Sequence, residues 1–296
     1  MISIPESGPV VTARPEVSFT TVRKSTFQTP NGSYRPLQQA TGEKCGLDIH
    51  SRRSQWRYYR HTLMHDPDPV LADFKERGWR EIREIDQALA EGRIDEAQWH
   101  DAMAALIKPA YLAGLNPYAQ AGHSGDAETW EASRGFIADS LHRSGTFLDV
   151  GCASGILMES VHRWGARKNL KIEPHGVDIV PEFVQRAQRR LPHWADRIHV
   201  GNIRTWRPKD HRFDFVFIRP EYAPAARRVD LVRHILDHVL TAAGRLIVFV
   251  GVEETDLRHV ESTIRVALPV HGRVEIPHSK DCRLARRLFW IDGPGR

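Results

Sequence analysis

From position 146 onward, short apolar runs alternate with segments whose apolar residues recur at helical spacing. The runs at 146–150, 175–179, 198–200, 213–218 and 245–250 predict five strands. Helices are predicted over 155–164, 181–190, 225–240 and 256–268, the second opened by Pro181 at its first turn. Runs at 273–276 and 286–291 predict a closing antiparallel hairpin. Strands alternating with helices at this spacing imply a parallel sheet with right-handed crossovers. With the hairpin added, the expectation is an α/β domain over 127–296: a mostly parallel seven-stranded sheet with helices on both faces.

Upstream the pattern changes. Residues 1–55 are rich in Ser, Thr, Pro and Gly and carry few periodic apolar positions, which predicts a disordered or loosely attached segment. A helical cap is expected over 56–126. Val70, Leu71, Phe74, Trp79, Ile82 and Ile85 recur at helical spacing until Gly92 breaks the pattern. Asp95 then opens a second helix with Trp99, Met103, Leu106 and Ile107 on one face. Residues 116–125 read as a loop, and 127–142 as a helix carrying Trp130, Phe136, Ile137 and Leu141.

Composition narrows the possibilities. The 296 residues suffice for one large domain with an accessory region. Neither a membrane-length apolar run nor a signal-peptide pattern is expected. Cys45, Cys152 and Cys282 are odd in number and widely spaced, which predicts reduced thiols and a cytoplasmic protein. The net charge of +5 lies in residues 121–296, but no block of like charge stands out, so a nucleic-acid partner is not favoured.

Ligands of open α/β sheets bind at the carboxyl ends of the strands. After the first strand comes Asp149-Val-Gly151-Cys-Ala153-Ser-Gly155. Small residues at 151, 153 and 155 permit a sharp turn and close backbone approach to a ligand. Asp149 is a carboxylate in an otherwise apolar strand, so backbone N–H groups, water or a cationic ligand should hold it. A dinucleotide fingerprint starting at Gly151 would need glycine at 153 and 156, where Ala153 and Ile156 stand. After the second strand comes Asp178-Ile179. An acceptor-only carboxylate there suits ribose hydroxyls. Gly201-Asn202-Ile203 follows the third strand, and Arg219-Pro-Glu221-Tyr222 the fourth.

This ordered set resembles the class I S-adenosylmethionine-dependent methyltransferases over residues 127–292. The resemblance implies a Rossmann-like fold and S-adenosyl-L-methionine as cofactor. It assigns Asp149, Gly151, Ala153 and Gly155 to the methionine portion, Asp178 to the ribose, and Ile179, Asn202 and Ile203 to adenine. Arg219 joins the cofactor pocket. The stretch 165–173 looks like an inserted loop that lengthens the spacing from Asp149 to Asp178. The signature of amino-methylating DNA enzymes is absent after the fourth strand, so a small-molecule acceptor, methylated on oxygen or nitrogen by in-line transfer, is favoured.

Catalytic candidates on the acceptor side are His123, in a Gly-rich loop, and Glu221. The rivals are an RNA methyltransferase, a nicotinamide-dependent oxidoreductase and a non-catalytic S-adenosylmethionine-binding module. The helical pairs His61/His65 and His234/His238 lack a third ligand, so no metal is expected. The sequence is silent on oligomeric state.

Overall fold

The computed structural model describes residues 81–254, 259–278 and 281–295. The expectations for 1–55, for the start of the cap and for His61 and His65 lie outside them. Two helices open the described chain: α1, whose described part is 81–90, and α2, Glu96–Ala113. A short helix α3, Ala127–Arg134, passes into a 3-10 turn, Gly135–Ser140. The sheet domain then runs β1 (Gly145–Val150), α4 (Ile156–Arg167), β2 (Ile172–Asp178), α5 (Pro181–Arg190), β3 (Ile198–Val200), β4 (Phe213–Ile218), α6 (Arg228–His238), β5 (Leu240–Glu254), α7 (His259–Arg265), β6 (Gly272–His278) and β7 (Asp281–Asp292).

The seven strands lie in the order β3-β2-β1-β4-β5-β7-β6, parallel except where β7 runs antiparallel to β5 and β6. The chain reverses its direction of travel across the sheet between β1 and β4. A crevice opens there at the strand ends.

Side-chain alternation divides the core. Leu148, Val216, Leu246 and Val248 face one layer with Leu231, Val232 and Ile235 of α6. Phe147, Phe215, Phe217, Ile247 and Phe249 face the other, with Trp130 of α3 and Val161 and Trp164 of α4. A strand buried on both faces reads as a continuous apolar run, which is why β1, β4 and β5 were visible in the sequence.

Several expected boundaries move. The 127–142 helix is half as long, because Gly135 begins a 3-10 turn. The 225–240 helix becomes a 3-10 turn, Ala225–Arg227, followed by α6, and Leu240 already pairs with Phe213 in β5. The stretch 165–173 is not an inserted loop. Helix α4 continues to Arg167, and Ile172 starts β2 by pairing with Gly145. Pro174 and the charged Glu173 hide that strand from an apolar-run reading, and Gly165 lets the Ile172 side chain pack against the helix.

The helix opened by Asp95 is present, with a reciprocal cap between Asp95 and Gln98. Its two ends are tied to the sheet domain. Glu96 accepts from Arg204 Nε at 2.6 Å. At the other end Lys108 pairs with Glu182, and Arg186 donates to the carbonyls of Tyr111 and Leu112 at 3.0 and 2.9 Å. The Gly114 N–H also reaches the Tyr111 carbonyl, at 3.4 Å, and the guanidinium adds to it in capping the last turn.

Candidate active site

The cap and the strand ends enclose one cavity of about 480 Å³. That volume falls within the range of about 300–1,000 Å³ common to small-ligand sites. Of the residues expected to bind cofactor, Asp149, Gly151, Ala153, Asp178, Ile179, Asn202, Ile203 and Arg219 line it. Gly155 does not; it sits beneath, as the N-cap of α4 at φ 75°.

The loop after β1 is built by its own backbone. Gly151 and Cys152 donate to the Val177 carbonyl at 2.8 and 3.2 Å, and Gly155 donates to Cys152 at 2.7 Å. Gly151 has φ 67°, and a Cβ on it would run into the Tyr222 hydroxyl. Ala153 also adopts a positive φ, 45°. An L-residue there costs about 1–2 kcal/mol, a strain that glycine would avoid. The strain is offset by a bond from the Ala153 N–H to Asp178 Oδ2 at 2.9 Å. The other oxygen of Asp178 accepts from Val180 at 2.9 Å. One carboxylate thus fastens two strand-end loops and still has lone pairs left for donors.

Burial sets the electrostatics. It pushes the Asp178 carboxyl up to about 6, against its backbone hydrogen bonds, which pull the other way. Asp149 is raised well above the ordinary carboxylate range by burial first and the nearby Asp178 second. No side-chain hydrogen bond joins Asp149 to a described residue. A cation placed beside it would restore its ionised form. Cys152 is buried and its thiol is also raised, chiefly by burial, which makes it a loop-packing residue and not a nucleophile.

Asn202 uses one lone pair of Oδ1 to accept from the Arg204 N–H at 3.0 Å. The second lone pair and both amide protons remain. Ile203 is buried and forms part of the wall.

Above β4 and β5 the lining is different. Arg219 and Glu221 form an ion pair at 3.3 Å. They lie deep in the protein, yet 36% and 43% of their side-chain surfaces remain accessible, because both face the cavity. Burial raises the Glu221 carboxyl, but the Arg219 charge and hydrogen bond outweigh it and hold the group below its ordinary value. Tyr222 is raised well above its usual range by burial and is a neutral donor.

His123 does not line the cavity. Its Nε2 lies 3.2 Å from Thr129 Oγ1, and its ring meets Trp130 edge-on at 5.3 Å. Trp130 does reach the cavity and stands between them. Among the expected metal-poor histidines, His234 Nε2 lies 3.0 Å from the Trp206 carbonyl oxygen.

Sequence reasoning missed Tyr111, His100 and Arg134, all of which line the cavity. Tyr111 of the cap stacks on Phe183 with centroids 5.4 Å apart, and His100, beside Trp99, lines the wall. Arg134 lies over the Phe249 ring at 4.6 Å and over Trp130 at 5.4 Å. The available signals were the i, i+4 spacing of Ile107 with Tyr111 and of Trp130 with Arg134.

Residues 147–242 match the family model described as "Methyltransferase domain". No curated protein matches. Similar solved structures include an N-methyltransferase, NodS, from Bradyrhizobium japonicum WM9 in complex with S-adenosyl-L-homocysteine, at 15% identity over 56% of this chain and 87% of that one, TM-score 0.43. A putative sarcosine dimethylglycine methyltransferase from Galdieria sulphuraria is 14% identical over 57% and 85%, TM-score 0.40. A geranyl diphosphate C-methyltransferase from Streptomyces coelicolor A3(2) is 15% identical over 55% and 75%, TM-score 0.41. The matched stretch runs from β1 to the start of β5, the strands whose ends build the cavity, and this part of the chain is similar to a methyltransferase domain.

Proposed function

We propose that the chain transfers the methyl group of S-adenosylmethionine to a small-molecule acceptor held between the cap and the ends of β4 and β5. The observation that carries this reading is the shared cavity. Two strand-end carboxylates, a tight loop and an aromatic-lined cap face one space closed off by α2.

The residues fit the cofactor. Asp149, raised and without a described hydrogen-bond partner, would take the ammonium group. Asp178 would accept from the ribose hydroxyls, and Asn202 with Ile203 would border the adenine. Gly151 and Ala153 leave the backbone bare where the methionine portion would lie. When bound, the cofactor supplies a methyl group on a positively charged sulfur.

Transfer neutralises that charge, so strong acids or bases are not required for the methyl step. Alignment and exclusion of water supply most of the help. The cap helix excludes water with Trp99, Met103, Ile107 and Tyr111. Glu221 is the proposed acceptor-side proton acceptor, although its pair with Arg219 weakens it as a base. The acceptor atom is oxygen or nitrogen. The cysteine usage supports a cytoplasmic setting. No helix among the described residues is long and apolar enough to cross a membrane.

Ligand-dependent unfolding tests the reading. S-adenosylhomocysteine is expected to raise the melting temperature by mass action, and NAD or NADP is expected to leave it unchanged. Stabilisation by the nicotinamide cofactors alone would replace this reading with an oxidoreductase.

A further inference from the structure

His100 is a polar side chain in the cavity wall to which the proposed methyl transfer gives no role. It is 8% exposed, and its buried Nε2 has no hydrogen-bond partner among the described residues. The Glu96 carboxylate oxygen beside it lies 3.8 Å away and is already bonded to Arg204 Nε at 2.6 Å. The Glu96 charge still favours a proton on Nε2 over Nδ1. Burial outweighs that charge and holds the imidazole below its usual pKa, so near neutral pH the ring is uncharged. A neutral imidazole carries one donor and one acceptor nitrogen. Leaving both unused in a buried wall costs stability that a polar ligand would return.

The position of His100 along α2 indicates which ligand group does so. Glu96, one turn earlier, holds Arg204, and the Arg204 N–H donates to Asn202 Oδ1 at 3.0 Å. This end of the helix therefore rests on the loop after β3, beside the residues assigned to adenine. The other end of α2 serves a different part of the cavity. Tyr111, about three turns and roughly 16 Å further along the helix, stacks on Phe183 and feels the charges of Arg219 and Glu221. The loop that approaches the methionine portion follows β1, two strands from β3, which at sheet spacing is roughly 10 Å.

We propose that His100 reads the adenine of the cofactor from the cap, its unprotonated ring nitrogen accepting a hydrogen bond from the exocyclic amino group. Asn202 Oδ1 is partly committed to the Arg204 N–H, so the amino group gains in His100 a second acceptor on the opposite wall. Met103, one turn further along the same face of α2, gives the base an apolar cover. The cap thus adds to cofactor specificity as well as closing the acceptor space. This rests on the S-adenosylmethionine reading above.

The probes are S-adenosylhomocysteine and S-inosylhomocysteine, whose base carries an oxo group where adenine carries the amino group. Both are titrated calorimetrically into the full-length protein. The wild-type protein is expected to bind S-adenosylhomocysteine at least tenfold more tightly. H100F should weaken S-adenosylhomocysteine at least fivefold, leave S-inosylhomocysteine within about twofold, and so shrink the preference at least fivefold. H100L is measured the same way if H100F does not melt cooperatively. Equal wild-type affinity for the two ligands would overturn the proposal without any variant. So would unchanged S-adenosylhomocysteine binding in the variant, or equal losses for both ligands, because the ring would then only pack the cap. If the wild-type protein binds neither ligand, the methyltransferase reading falls; if it binds S-adenosylhomocysteine and the preference ignores His100, only the role of His100 falls.

Discussion

The two halves of the cavity are built by different means. Over β1 and β2 the site is largely backbone: a loop with positive φ at Gly151 and Ala153, fastened by Asp178 and lined by carboxyls that burial raises. Over β4 and β5 it is side chains: Arg134, Arg219, Glu221 and Tyr222 against Phe217 and Phe249. A backbone-built half tolerates little substitution, because the chain itself occupies the contact surface. A side-chain-built half can change its ligand without refolding the loop. The first half therefore suits a fixed cofactor and the second a variable acceptor.

The largest expected effect tests the backbone-built half. Gly151→Val places a branched side chain at φ 67° and against Tyr222. S-adenosylhomocysteine affinity should fall more than 100-fold by calorimetry. A dissociation constant within threefold of wild type would show that the ligand does not approach this loop.

The next effect is a pH dependence confined to the same half. Asp178 titrates near 6 and burial holds Asp149 well above the ordinary carboxylate range, so both must ionise to receive donors and a cation. S-adenosylhomocysteine binding should strengthen as pH rises from about 5.5 to 7.5, with proton uptake by the buffer. Asp178→Asn should remove the part of the profile near pH 6. For the ligand-free fold the sign is opposite. The folded Asp178 carboxyl lies above its unfolded value, so the folded state binds more protons between about pH 4 and 6. Its contribution to stability falls as pH rises through that window. A flat affinity profile would remove both carboxylates from the ligand.

The smallest effect concerns strain. Ala153→Gly should relieve the positive φ, about 1–2 kcal/mol, and lose about 0.5–1 kcal/mol to chain entropy. The expected net is a stabilisation of about 0.5–1 kcal/mol in urea unfolding. A destabilised variant would show that the alanine methyl packs more usefully than its backbone costs.

Much of the sheet was legible in advance. β4 and helix α5 fall on their expected boundaries, because a doubly buried strand and a Pro-opened helix leave local signals, and the short edge strand β3 also falls on its own. β2 was cut short because Glu173 and Pro174 interrupt its apolar run, and that error created the supposed inserted loop at 165–173. The residues assigned to the cofactor loop sit around one cavity, apart from Gly155, which holds the turn from below. The acceptor side was much less visible. Glu221 reaches the cavity, but His123 is held behind Trp130.

The sequence by itself determined the strand-and-helix order and the loop that follows β1. These depend on residues close together in the chain, whose spacing records burial and backbone freedom. Only the tertiary structure decided that Arg134, from the helix before β1, meets Phe249 from β5 and Arg219 from β4. Those three are far apart in sequence, and each taken alone looks like an ordinary helix-surface or strand residue. Their proximity follows from how α3 packs on the sheet, and no local pattern encodes that packing.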